Sequence, residues 1–291
     1  MKIYKIQIVL ATILSLFIFS CDVIEEPFMV EQEVVSDSCE AFLFSPIESY
    51  TKKVLLEDYT GQTCGNCPRA GEKAYELQEQ FGEQLVIIAV HAGWFANTSN
   101  DYPNDFTTET GDEWDTHFGN SSLGNPNGMV DRIDFPDNSH IFQYSQWEEK
   151  VTNQLQNLPS VGIQIHTSYK ENTGLICVDT QTEILNDLEN KLHLTVVLIE
   201  SGIISKQTDY SILPDQYVDD YEQNHVLRKG LTNAWGEDLG LENYSTSDFY
   251  THRYSIEKQE DWEISNMSVI AFISNPETFE VLQVEELHIL D

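Results

Sequence analysis

Positive charge is scarce in this chain. Fifteen lysines and arginines stand against 49 aspartates and glutamates in 291 residues, a formal net charge of −34. Without a basic stripe or cluster the surface repels phosphate, which excludes nucleic-acid binding. Such acidity suits a solvated anionic coat, or contacts with calcium and basic partners. Internal repeats and low-complexity tracts are absent. The N-terminal apolar stretch, Ile6 to Phe19, is fourteen residues long, too short to span a bilayer, which takes roughly twenty. Cysteine is sparse, with 5 residues, two of them close together. What is plentiful is apolar and aromatic matter, 41% and 11% of the chain. That composition belongs to a globular protein, and the length allows two domains.

The first twenty residues read as a targeting segment. Lys2 and Lys5 supply a basic start, Ile6 to Phe19 the apolar region, and Ile18-Phe19-Ser20-Cys21 the end. This end resembles a bacterial lipobox, in which the Cys21 sulfur takes a diacylglycerol and the chain is cut before it. Phe19 is bulkier than the usual residue at its position. Cleavage removes two lysines, so the mature charge is −34 − 2 = −36. Each buried CH₂ contributes about 0.8 kcal/mol, so two or three acyl chains anchor a protein stably. Residues 1–20 are the expected signal peptide and 21–49 an acidic tether. With Cys21 acylated, an even count remains: Cys39, Cys64, Cys67 and Cys177. Cys39 and Cys177 are either a structural bridge or two buried free thiols.

From residue 50 to 159 the pattern alternates strand and helix. Lys53 to Tyr59 is a short apolar strand, followed by the turn-rich Thr60 to Pro68. Ala70, Ala74, Leu77 and Phe81 then recur at helical spacing, and Gly82 suits the helix end. Leu85 to Val90 is a continuous apolar run of the buried-parallel type. Residues 95–122 are polar and irregular, with a short helix around Asp112 to Phe118. Met129 to Ile133 reads as a further strand and Tyr144 to Leu158 as a closing helix. This order predicts a mixed α/β sheet flanked by helices. From 160 to 291 the period changes to two, as in Val161, Ile163 and Ile165. Extended segments follow near 174–184, 192–202, 249–258, 266–274 and 279–289. Roughly seven strands of this kind predict an all-β sandwich-like domain.

Chemistry concentrates at Cys64-Gly65-Asn66-Cys67, between an apolar strand and an amphipathic helix. Two intervening residues let both sulfurs meet across the first helical turn. Unpaired amides and the positive end of the helix dipole stabilise a thiolate there. Pro68 fits the first turn, where its missing N–H costs nothing. A lone pair of this spacing has rivals. Structural zinc normally needs four ligands, often two such pairs, and the other cysteines here are isolated. A permanently formed, inert disulfide is the other rival.

Val54-Leu55-Leu56-Glu57-Asp58-Tyr59 followed by this pair resembles the thioredoxin superfamily. The family carries a buried acid six residues before its nucleophilic cysteine, which falls on Asp58 here. The resemblance implies that Asp58 moves the proton of the resolving thiol and leaves Glu57 on the opposite, solvated face. The family's second mark, a cis-proline loop that pairs with extended substrate, matches Leu123 to Val130 with Pro126 as the cis residue. Departures are Thr63 where the family has Trp, Gly-Asn where it has Gly-Pro, and a long segment before Pro126 that implies a reshaped groove.

A broader resemblance covers nearly the whole chain. The lipobox, EDYTGQTCGNCP, VHAG (Val90 to Gly93), NPNGMVDR and NHVLRKGLTNAWGE (Asn224 to Glu237) are similar to the outer-membrane-protein-28-related lipoproteins of Bacteroidota. That resemblance implies a thioredoxin-like domain joined to a β-sandwich, in an outer-membrane lipoprotein. His91 either contacts the redox site or is a structural histidine; His225 and Arg228 cap or pair within the second domain.

Two functions follow as expectations. One is a thiol–disulfide oxidoreductase needing no cofactor, with Cys64 attacking, Cys67 resolving and Asp58 taking the proton. Its partners are exported protein thiols or disulfides, and the membrane through Cys21. The other is a non-enzymatic binding lipoprotein in which the pair is a fixed staple.

Overall fold

The strand β2 (Leu85–His91) is buried along its whole length, so both of its edges and both of its faces must be covered. The computed structural model, which describes residues 38–136 and 139–290, shows how. Cys21 and the signal segment lie outside the described residues. The compact unit begins at Cys39.

β1 (Val54–Thr60) pairs parallel to β2, from Val54 opposite Leu85 to Thr60 opposite His91. β3 (Asn127–Val130) pairs antiparallel to the far edge of β1. The other edge of β2 is taken by β9 (Val226–Gly230), parallel, through Ala89 opposite Val226. From β9 the sheet continues antiparallel through β6 (His193–Glu200), β12 (Met267–Ser274) and β13 (Val281–His288). The short β10 (Glu237–Asp238) adds along β6. The whole is one eight-stranded mixed sheet, in which strands from either side of residue 159 are hydrogen-bonded neighbours.

Alternation of side chains sorts the faces. Val54 and Leu56 meet α1 (Cys67–Phe81) through Ala70, Ala74 and Leu77, and α4 (Trp147–Gln154) through Trp147 and Val151. Leu55 and Tyr59 point the other way, with Val86, Ile88 and Val90, onto Trp114 and Phe118 of α2 (Glu109–Phe118). A one-turn helix α3 (Asn120–Leu123) leads into β3. α1 stops at Gly82, whose φ of 57° favours glycine and whose N–H donates to Gln78.

A second sheet, of β4 (Val161–Lys170), β5 (Leu175–Ile184) and β11 (Phe249–Glu257), packs Val161, Ile163, Ile176 and Val178 onto Leu194, Val196, Val269 and Ala271 of the large sheet. A third, two-stranded sheet consists of β7 (Ile203–Thr208) and β8 (Tyr217–Gln223). Beyond residue 159 the described residues thus form ten strands in three sheets, not the seven expected. Cys39 and Cys177 form a disulfide onto β5, with Phe42 stacked on His166 and the Tyr50 hydroxyl donating to Glu183. The alternative of two free thiols is thereby set aside.

Glu57 departs from expectation. It is fully buried, because α2 and the aromatic cluster cover its face, and it accepts two hydrogen bonds from Arg132, Nε to Oε2 at 2.9 Å and Nη2 to Oε1 at 2.8 Å. Its neighbour Asp131 clamps β1 in parallel fashion, taking the Leu55 N–H at 2.8 Å and the Lys52 ammonium at 2.8 Å. The Asp131-Arg132 pair of the NPNGMVDR stretch therefore fixes β1 against β3.

Candidate functional site

The loop between β1 and α1 is shaped by local bonds. Cys64 N–H donates to Gly61 at 3.0 Å and Cys67 N–H to Cys64 at 3.2 Å, while Thr63 donates through both its N–H and its hydroxyl to the Phe95 carbonyl. A Cβ on Gly61 would meet the Phe95 carbonyl at 2.5 Å, so only glycine lets the two backbones approach. The turn brings Cys64 and Cys67 together as a disulfide, with Sγ–Sγ 2.01 Å and Cα–Cα 5.4 Å. Cys67 is the first residue of α1, and the first turn of that helix holds no acidic side chain. A thiolate released there keeps the full benefit of the helix amides.

Asp58 lies on the α1 side of β1, 4% exposed, and its Oδ1 has no hydrogen-bond partner among the described residues. Burial pushes its carboxyl from 3.8 up to about 7. Asp58 and Cys67 line one cavity of about 650 Å³ between α1 and the β7–β8 hairpin. Tyr221 and His225 line it too. Burial, reinforced by Asp58, Asp209 and Glu72, raises the Tyr221 phenol to about 12, and burial lowers His225 to about 4. At neutral pH both are uncharged.

The Asn125–Pro126 peptide is cis and Pro126 is buried. Asn125 Nδ2 donates to the Thr60 carbonyl at 3.2 Å, which holds this loop against the end of β1 from which the disulfide loop departs. His91 is buried against Phe106, and burial together with Arg228 lowers it to about 3; it does not line the cavity beside the disulfide. Arg228 pairs with Glu200 and Asp261.

The β7–β8 hairpin was not anticipated from sequence, yet it forms one wall of the site. Gln207 Nε2 donates to the carbonyls of Gly61 (3.2 Å) and Cys64 (3.1 Å). Thr208 N–H donates to Gln62 and Tyr210 N–H to Gly65, both at 2.9 Å. A Cβ on Gly65 would meet the Tyr210 ring at 2.4 Å. The hairpin does alternate, but Ser205, Gln207, Asp209 and Gln223 are its buried positions. A pattern of inward polar residues carries no hydrophobic period to detect.

Comparison with known proteins places the chain in a family. The family model described as outer membrane protein Omp28 matches residues 112–290, a stretch that begins after the disulfide loop and includes the hairpin. Among solved structures, HBP35 of Porphyromonas gingivalis superposes with a TM-score of 0.60 at 18% identity, over 84% of this chain and 77% of that one. The crystal structure of an Agrobacterium tumefaciens protein gives 0.50 at 12% identity, over 82% and 96%. A domain of the outer membrane lipoprotein Omp28 from Porphyromonas gingivalis is 22% identical over 46% of this chain and 90% of its own, with a TM-score of 0.30. At such identities the first two likenesses are of fold alone. No curated protein matches. No helix among the described residues is long and apolar enough to cross a membrane. With the family model spanning more than half of its length, the chain belongs to the outer membrane protein Omp28 family.

Proposed function

We propose that this outer-membrane lipoprotein is a thiol–disulfide oxidoreductase, anchored through acylated Cys21, whose working pair is Cys64 and Cys67. The observation that carries the reading is a disulfide at the start of α1 sharing a cavity with a buried, unpartnered carboxyl. Parallel β1 and β2, antiparallel β3, α1 starting at Cys67 and the cis Asn125–Pro126 bond support a thioredoxin-like arrangement. The sheet of β4, β5 and β11 facing β6 and β12 across an apolar core supports a sandwich-like second part.

Starting from the disulfide, a substrate thiolate attacks Cys64 Sγ. The Sγ–Sγ bond breaks, and Cys67 leaves as a thiolate that takes the Asp58 proton. The substrate's second thiolate then attacks its own sulfur in the mixed disulfide and releases Cys64. The substrate is oxidised to a disulfide and the protein reduced to a dithiol, so two electrons pass. Reduction of a substrate disulfide is the same path reversed. No cofactor enters.

A second reading has its own observation. Cys64 and Cys67 are only 2% and 3% exposed, as a fixed staple in a binding module would be. Trapping separates the two. Cys67→Ser in the full chain is expected to accumulate mixed disulfides with exported proteins, and Cys64→Ser/Cys67→Ser to lose them. Absence of such adducts, with a wild-type pair that resists strong dithiols, favours the binding module.

A further inference from the structure

The β7–β8 hairpin covers the loop that carries both buried sulfurs. We infer that the β7–β8 hairpin is a displaceable strap on the polypeptide-docking edge of the disulfide loop, and that the partner fitting this edge is an extended, cysteine-bearing polypeptide segment. This rests on the oxidoreductase reading, since it concerns access to the same sulfurs.

The bonds define the edge. Thr208 and Tyr210 donate their main-chain N–H groups to Gln62 and Gly65, carbonyls that bracket Cys64. Thr208 is the last residue of β7 and Tyr210 opens the turn after it, so the donors come from the end of a strand and are main-chain groups of the kind strand addition uses. The loop therefore already holds a strand end by its backbone, without demanding any particular side chain at the bonded positions. An incoming polypeptide satisfies the same two carbonyls by the same bonds. Gln207 fastens the strap by bonding Gly61 and Cys64, and its Oε1 accepts from Gln223 Nε2 at 3.0 Å, which ties the other strand in. The Tyr210 ring lies over Gly65.

The strap is built to come away. β7 and β8 pair only with each other and join neither of the larger sheets. An isolated two-stranded ribbon is marginal by itself. The inward positions Ser205, Gln207, Asp209 and Gln223 are polar, so lifting the hairpin forfeits hydrogen bonds that water or substrate replaces, and little apolar contact. Its far end carries Leu213, 76% exposed, with Ile212 also exposed, and Ile204 is exposed at its base.

The test uses the full chain and a short unstructured peptide with two reduced cysteines. Gln207→Ala/Tyr210→Ala is expected to speed peptide reduction of the Cys64–Cys67 disulfide by about tenfold or more, as removal of a local closing equilibrium requires. Cys39–Cys177 serves as the internal control and is expected to stay intact. Equal rates in variant and wild type, both reacting, overturn the strap and leave the oxidoreductase reading standing. No reaction with the peptide in either protein overturns both. Should the variant fold poorly, hydrogen exchange on the wild type decides. The Thr208 and Tyr210 amides are expected to exchange about a hundredfold faster than those of β1, and equal protection contradicts a strap that opens alone.

Discussion

Arg132→Ala should lower the unfolding free energy by about 3–5 kcal/mol. The residue is 1% exposed and its guanidinium grips both oxygens of buried Glu57. It also sits over the rings of Trp114, Phe118 and Phe272, at 4.7, 5.0 and 5.1 Å from their centroids. Truncation leaves the Glu57 carboxylate buried with no counter-charge, and empties space among three aromatic rings. The penalty comes mostly from the stranded charge, not from the value of the pair itself. Glu57→Leu/Arg132→Met is therefore expected to recover most of the loss, since both charges go and apolar volume returns. Urea unfolding of the three proteins measures it; a double variant as unstable as Arg132→Ala would show that the fold needs the ion pair itself.

Asp58→Asn should make the protein more stable and slower at once. The folded protein holds the Asp58 proton up to about pH 7, whereas the unfolded chain releases it near 3.8. Between these values unfolding releases a proton, so this group lowers stability as pH rises through that window and is level above it. A shift of this size corresponds to about 4 kcal/mol above pH 7. Asparagine cannot ionise, so its gain appears at pH 8 and vanishes below pH 4. In the proposed exchange the same carboxyl gives Cys67 its proton, and its loss is expected to slow turnover of a dithiol substrate by about a hundredfold. A residue kept against stability but needed for rate is what a working group looks like. If Asp58→Asn is stabilising with an unchanged exchange rate, the carboxyl has no part in the chemistry.

Much of this was legible in the sequence, and for physical reasons. β2 announced itself because a parallel strand covered on all sides must be a continuous apolar run. α1 was legible because Ala70, Ala74 and Leu77 face one core, and Gly82 ends it. Cys64 and Cys67 form a disulfide, Asp58 is buried and the Asn125–Pro126 bond is cis, features that the family resemblance, not periodicity, implies for these residues. Glu57 was misread because strand alternation tells which face a side chain takes, not whether that face is wet. Here Arg132, 75 residues away, makes the buried face tolerable to a carboxylate. The hairpin was missed because its inward side is Ser205, Gln207 and Asp209, and its partners lie more than 140 residues upstream. Joining of β2 to β9 was equally hidden, resting on one backbone register at Ala89 and Val226.

The most direct measurement is the reduction potential of both disulfides in one sample, titrated against a dithiol buffer and read by mass after thiol labelling. Catalytic pairs such as thioredoxin's sit at about −270 mV or above, and structural bridges below about −300 mV. If Cys64–Cys67 is the working pair, it titrates in the upper range while Cys39–Cys177 remains in the lower. Both bridges below about −300 mV would contradict it and leave the pair a staple.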